Sequence, residues 1–324
     1  VGAMGSVPPS GPVTEKDSGD GTAPNLRLAW GYSGMQGWRD EMEDAHIAAA
    51  SLGQLVGEGA RDWDDTAIFG VLDGHGGVEV ARFCEKLLPA EIAKGPAADP
   101  EAALISAYES IDGKMTDSDG RRELRALGPM RGAPFGWWSS IPESTGSTAV
   151  VCCLRPGEVV VANAGDSRAV MCCSGEAVDL SKDHKPTLAS ERKRIKEAGG
   201  WVDNREDRVN GDLALSRALG DHRFKKALHL PACDQIITCV PDVQRLARQA
   251  SDEFILIACD GVWDVMLSQQ VVSFIRQRLG PRNTWGTRLA SGELKLSAIV
   301  EQLLDHCISP ALASGDNLTA VLIL

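Results

Sequence analysis

Ala67-Ile68-Phe69-Gly70-Val71-Leu72-Asp73-Gly74-His75-Gly76-Gly77 is an apolar run that stops at an Asp-Gly pair. Phe254-Ile255-Leu256-Ile257-Ala258-Cys259-Asp260-Gly261-Val262-Trp263-Asp264 repeats the arrangement much later in the chain. A short apolar run closed by a turn signal reads as a buried strand. An acidic residue at the end of such a strand stands where a rigid element can hold it. Two further acidic groups share the setting: Glu43-Asp44, and Asp316-Asn317 just before the last apolar run. Carboxylates gathered at strand ends repel one another unless cations lie between them, so the pattern predicts a metal site.

Around these runs the chain divides simply. Residues 1–25 are rich in Pro, Gly, Ser and Asp, lack an apolar period and are expected to be a disordered lead. Within it, Val1-Gly2-Ala3-Met4-Gly5-Ser6 reads as an expression scar, with neither the basic start nor the apolar centre of a signal peptide. A start at Met4-Gly5 would place Pro9 where a myristoylation signal wants Ser or Thr. Residues 26–324 carry no comparable linker and read as one domain. Helical spacing covers 77–93 and 100–116, whereas the Arg- and Gly-rich 119–143, ending in Phe135-Gly136-Trp137-Trp138-Ser139-Ser140, reads as a surface loop. Short β-like runs follow at 147–154, 158–163, 168–173 and 176–180, with Gly165-Asp166 as the central hairpin turn. A basic helix over 187–198 stops at Gly199-Gly200. Strands near 235–240 and 253–259, helices near 268–279 and 294–308 and a last strand at 318–324 complete the pattern. Strands gathered in runs, rather than alternating with helices, predict an antiparallel α+β architecture.

Bulk properties narrow the function. Hydrophobic residues make up 43% of the 324, enough for a large core, and no stretch is long and apolar enough to span a bilayer. A net charge of −12 argues against a general nucleic-acid or anionic-membrane binder, though bound metals can still attract a phosphorylated substrate. The nine Cys include no CxxC and lie mostly in apolar runs. They read as buried reduced thiols of an intracellular protein.

The chemistry follows from the donors. Almost purely carboxylate groups around Asp44, Asp73, Asp260 and Asp316 suit Mg²⁺ or Mn²⁺, since zinc usually recruits His or Cys. If a fold brings them together, the natural reaction is two-metal hydrolysis at phosphorus. Arg39 could fork onto two phosphate oxygens, and His75 could donate a proton to a leaving alkoxide. Each has a plain alternative. An Asp-Gly pair is ordinary turn chemistry, Glu43-Asp44 an ordinary solvated face, Arg39 a surface charge and His75 a hydrogen-bonded structural residue.

Taken together, the segments resemble the metal-dependent protein serine/threonine phosphatases of the PP2C (PPM) family over roughly residues 30–324. The matching blocks are Gly37-Trp38-Arg39, Met42-Glu43-Asp44-Ala45-His46 and Val71-Leu72-Asp73-Gly74-His75-Gly76-Gly77. Gly146-Ser147-Thr148-Ala149, Ala162-Asn163-Ala164-Gly165-Asp166-Ser167-Arg168 and Asp183-His184-Lys185-Pro186 follow in the family's order. Val209-Asn210-Gly211 leads into Leu213-Ala214-Leu215-Ser216-Arg217-Ala218-Leu219-Gly220-Asp221. Pro241-Asp242-Val243, Ala258-Cys259-Asp260-Gly261-Val262-Trp263-Asp264 and Asp316-Asn317-Leu318-Thr319 close the series.

The resemblance implies a central antiparallel β-sandwich flanked by α-helices on both sides, with two Mn²⁺ or Mg²⁺ ions at one end. It implies that Asp73 bridges the ions, that the Gly74 carbonyl joins one, and that Asp260 and Asp316 bind the other. Glu43 and Asp44 would act through ion-bound waters, Arg39 would hold phosphate and His75 would protonate the leaving group. A third ion is implied at Asp166 and Asp264, where a structural turn and a helix start are the competing readings. The implied activity is hydrolysis of phosphoserine and phosphothreonine in a protein substrate by a metal-bridging hydroxide, without a phosphoenzyme, in a monomer. An inactive phosphatase-like binding scaffold is the alternative from another class, and a small phosphoester the alternative substrate. His184 and Ser216-Arg217 read as packing residues. The 201–235 stretch, with Trp201, Asp203, Asn204, Arg205 and Arg208, sits where the family carries a flap beside the cleft.

Overall fold

The opening runs are apolar at every position because their strands are covered on both faces. The structure is a computed structural model that describes residues 11–128 and 143–324. Its strands are β1 Val13–Ala23, β2 Leu28–Gly37, β3 Ala45–Ala49, β4 Ala67–Leu72, β5 Gly74–His75, β6 Gly146–Ser147 and β7 Ala149–Arg155, followed by β8 Glu158–Ala164, β9 Arg168–Cys173, β10 Glu176–Asp179, β11 Leu219–Gly220, β12 Asp242–Ala247, β13 Asp252–Ala258 and β14 Leu318–Ile323. The helices are α1 Leu52–Val56, α2 Glu79–Ala93, α3 Pro100–Lys114, α4 Ser118–Leu127, α5 Ala189–Glu197, α6 Asp260–Trp263, α7 Ser268–Leu279, α8 Trp285–Ala290 and α9 Leu296–Ile308. One sheet runs β1-β2-β14-β13-β9-β10, the other β12-β8-β7-β4-β3, and a small third sheet runs β11-β6-β5.

Alternation sorts each strand between two cores. Ala67, Phe69 and Val71 of β4 meet Ile255 and Ile257 of β13 and Val321 of β14 between the sheets. Ile68 and Leu72 point the other way, into a core with Phe83 and Leu88 of α2 and Leu104 of α3. On the opposite side Phe254 and Leu256 of β13 join Val272 and Ile275 of α7 and Leu303 of α9. The result is the α-β-β-α layering that the sequence resemblance implied. Two-sided burial also explains why an antiparallel strand here reads like a parallel one.

Four expectations need correction. The disordered lead fails for residues 13–23, which form β1 and pair in register with β2; residues 1–10 lie outside the described residues. Its polar sequence hid it because most of β1 is solvent-facing. A Cβ at Gly19 would lie 2.7 Å from Tyr32, so an aromatic of β2 covers the bare backbone. Asp20 accepts the Ser297 amide (2.9 Å) at the start of α9, and Lys16 pairs with Asp305 at 2.6 Å. Second, the loop expected over 119–143 begins as α4, capped by Asp117 onto Gly120 N; Phe135, Trp137 and Trp138 lie outside the described residues. Third, Gly165-Asp166 is not a hairpin turn. β8 pairs with β7 and β12, and β9 with β13 and β10, so the chain crosses from one sheet to the other there. Fourth, the strand expected near 235–240 is displaced to β12, because Ile237 packs with Ile195 and Phe224 in a small separate core beneath α5.

α5 is tied down by ions. Glu191, 2% exposed, accepts from Ser216 Oγ (2.7 Å) and Arg217 Nη2 (2.8 Å) and pairs with Arg194. Burial alone would push its carboxyl up, but Arg217, Arg194 and Ser216 outweigh it and bring it to about 2. Ser216 Oγ also lies 2.8 Å from the His184 carbonyl, sharing its single proton between that oxygen and Glu191, and the Gly165 amide donates to His184 Nδ1 at 3.2 Å. These residues therefore fasten the crossover between the sheets. Glu191→Gln, which removes the buried charge shared by Arg194 and Arg217, is expected to cost about 3–5 kcal/mol in urea denaturation. A loss below about 1 kcal/mol would show that the cluster is not structural.

Candidate metal centre

Antiparallel pairing alone brings the acidic groups to one end. Asp44 precedes β3 and Asp73 follows β4, and Ala45 sits opposite Leu72 in that pair. Asp260 follows β13 while Asp316 precedes β14, with Ala258 opposite Ala320. β8 runs alongside β7, itself paired with β4, so the crossover that carries Asp166 lies at the same end. Every sequence-predicted carboxylate except Asp264 is thus within two residues of a strand terminus. Glu43 adjoins Asp44, and Asp264 lies one helical turn beyond Asp260, its amide bonded to the Asp260 carbonyl at 2.8 Å.

The cluster is electrostatically overloaded. Burial, then the charges of Asp260, Asp44, Asp166 and Asp316, hold the Asp73 carboxyl well above the usual range. Burial is also the leading cause that pushes Asp44 to about 7 and Asp260 to about 8, and it raises Glu43 and Asp264. Asp44 is 8% exposed, and neither of its carboxylate oxygens has a hydrogen-bond partner. Two such oxygens buried without donors are costly unless a cation takes them up. Asp44, Asp73 and Cys259 offer donor atoms within 4.8 Å of one another. Cys259 is poorly suited to be a third ligand: burial pushes its thiol far up, and its sulfur already accepts from Thr319 N at 3.1 Å. The oxygen donors therefore fit a hard divalent cation.

Backbone detail holds the cluster in place. Gly74 passes so close to the Glu43 carbonyl that any Cβ would overlap it, which makes this glycine a packing requirement and not merely a turn residue. Asn317, whose role the sequence did not show, accepts from Glu43 N at 2.9 Å and donates to the carbonyls of Gln36 (2.7 Å) and Glu41 (3.0 Å). It ties the loop carrying Arg39 and Glu43 to the start of β14. Arg39 Nη2 donates to Asp316 Oδ2 at 2.6 Å, and half of its side chain is exposed.

Two more residues enter that sequence reasoning left without a role. Lys185 Nζ lies 2.6 Å from Asp166 Oδ2, so an ammonium occupies one carboxylate of the pair expected for a third ion. His75 Nε2 lies 2.6 Å from Asp221 Oδ2. Burial alone would lower the His75 pKa, but Asp221, helped by Asp166 and Glu43, reverses the direction and raises it. Both Lys185 and Asp221 lie in blocks quoted above, yet neither sits at the end of an apolar run, the signal that exposed the other acids.

The class that this fold and its sequence define is that of the protein phosphatases. Residues 28–317 match the family described as Protein phosphatase 2C, and the chain belongs to that family. Probable protein phosphatase 2C 60 of Arabidopsis thaliana is 39% identical over 347 residues, covering 97% of this chain and 90% of its own. Probable protein phosphatase 2C T23F11.1 of Caenorhabditis elegans is 38% identical over 323 residues, covering 97% and 78%. Among solved structures, a phosphatase from a pathogenic strain of Toxoplasma gondii is 25% identical with a TM-score of 0.68, covering 91% of this chain and 92% of that one. A serine-threonine phosphatase 2C from Toxoplasma gondii, 22% identical with a TM-score of 0.66 over 98% and 97%, shares the fold.

Proposed function

We propose that the chain hydrolyses phosphoserine and phosphothreonine in protein substrates by direct attack of water on phosphorus, with no covalent enzyme intermediate. The observation that carries this reading is the Asp44 carboxylate, buried with both oxygens unpartnered in a nest of further acids. Asp73 and the Gly74 carbonyl, with Asp260 and Asp316, would hold two divalent ions, and Glu43 and Asp44 would complete the shell through waters. Mn²⁺ or Mg²⁺ bound there supplies a water of lowered pKa and neutralises the phosphoryl charge. Arg39 has donors left beyond its bond to Asp316 and would hold two phosphate oxygens. His75 would carry the proton that leaves with the alcohol. Asp166 and Asp264 would serve a third ion in competition with Lys185.

The 201–235 stretch, where Trp201 is 52% exposed, would face the phosphoprotein with Arg205. Among the described residues no helix is long and apolar enough to cross a membrane. The alternative, a scaffold that binds without hydrolysis, is disfavoured because Arg39 and all the expected acidic ligands are in place. Purified protein is expected to turn over a phosphothreonine peptide with Mn²⁺ or Mg²⁺ and to stop with EDTA. Folded protein that binds the peptide but turns it over with neither ion would leave the scaffold as the better account.

A further inference from the structure

We propose that Asp221 is a positioning residue for His75: it fixes the imidazole by holding Nε2, and so leaves Nδ1 as the nitrogen that gives its proton to the leaving alcohol. The inference rests on the phosphatase reading above and adds a residue to it. In the step concerned, water forms the new P–O bond and the bond from phosphorus to the seryl or threonyl oxygen breaks. The Nδ1 proton goes to that oxygen, and the ring regains a proton from solvent. An imidazole that could rotate would present Nδ1 only part of the time.

Three observations support the assignment. The first is the contact itself: Asp221 is fully buried, its Oδ2 lies 2.6 Å from His75 Nε2, and its Oδ1 has no partner. A buried carboxylate spent on a single imidazole, with its second oxygen left unsatisfied, is hard to explain by stability.

The second is the small sheet. His75 sits opposite Gly146, and Gly146 sits opposite Gly220, so β6 lies between the histidine and the aspartate. A Cβ at Gly146 would overlap both Asp221 Oδ2 and His75 Nε2. The two side chains meet only because the strand between them has no side chain at that row.

The third is the backbone at Asp221, which is left-handed (φ 51°), an uncommon state for a residue other than glycine. It is held there from several sides. Asp221 N donates to the Thr145 carbonyl (2.9 Å), and Phe224 N donates to the Asp221 carbonyl (2.9 Å). Gly220 N and Lys225 Nζ both donate to Asp112 Oδ1 of α3, at 2.8 Å and 2.7 Å. These bonds fix the backbone from which the Asp221 carboxylate reaches His75.

The test uses leaving groups, because a proton donor matters for a seryl or threonyl alkoxide and little for p-nitrophenolate. Asp221→Asn tolerates the left-handed backbone and keeps the shape of the side chain. It is expected to lower kcat on a phosphothreonine peptide about a hundredfold with KM unchanged, and to leave p-nitrophenyl phosphate turnover within about twofold. Gly146→Ala, which wedges the pair apart from the other side, is expected to show the same selectivity. In a His75→Gln background, Asp221→Asn is expected to add no further loss. Equal losses on both substrates, or an additional loss in the double variant, would overturn the assignment in favour of a structural role. Full activity of both variants on the peptide would overturn it as well. Failure of the phosphatase reading is distinguishable, because unaltered protein would then hydrolyse neither substrate.

Discussion

Asp73→Asn is expected to abolish turnover of a phosphothreonine peptide, with kcat/KM falling by about a thousandfold or more. Asp73 ends β4, the strand buried on both faces, and it lies where the charges of Asp44, Asp166, Asp260 and Asp316 converge. In the proposed reading its carboxylate would be shared between the two cations. The same substitution is expected to stabilise the protein in EDTA, because it removes one of several mutually repelling buried charges. Opposite effects on activity and on metal-free stability are the signature of a ligand, since a residue needed for packing would lower both. Retention of more than a tenth of the activity, measured at saturating Mn²⁺, would refute the role.

Removing the ions has the second large effect, and it depends on pH. Asp44 and Asp260 are held at about 7 and about 8 in the folded, metal-free protein, against an ordinary value of 3.8, and Asp73 is raised as well. A folded-state pKa above the unfolded one means that the folded state binds more protons between the two values, so stability falls as pH rises through that window. With respect to these groups, metal-free protein is therefore expected to be most stable at and below about pH 4, and to lose stability progressively from there up to about pH 8. Each unit of upward shift corresponds to about 1.4 kcal/mol. A net effect of only two units between pH 5 and pH 8 would move Tm by several degrees. Divalent ions bind the ionised carboxylates and reverse the trend, so the Tm difference between Mn²⁺ and EDTA samples should widen with rising pH. A difference that narrows over pH 5–8 would contradict the origin of the shifts. The comparison cancels titrating groups remote from the acidic cluster.

Much of this site was legible because its acids stand at the ends of strands buried on both faces. Burial makes the runs before Asp73 and Asp260 continuous, and continuity makes their ends visible in the sequence. What local pattern could not reveal was which strands pair. Gly165-Asp166 has hairpin composition, but whether two flanking strands join one sheet or two is settled by distant partners, here β12 and β13. β1 was missed for the opposite reason to β4. An edge strand covered mainly by Tyr32, Trp30 and one helix needs no apolar alternation of its own. Asp221 escaped because its partnership with His75 passes across a third segment at Gly146, and no spacing along the chain encodes that row. Residues fixed by one strand's own burial can be read directly, whereas those fixed by agreement among three segments require the fold.

The pairing of β2 with β14 sets the order in which the protein becomes competent. Leu318 lies opposite Met35, so a strand made early waits for one made much later in synthesis. The acids divide in the same way: Glu43, Asp44 and Asp73 leave the ribosome early, and Asp260 and Asp316 leave late. A growing chain therefore carries an incomplete set of these acids until Asp316 emerges, and contacts of such long sequence separation form slowly. Unfinished or prematurely terminated chains would have no working half-site to release into the cell.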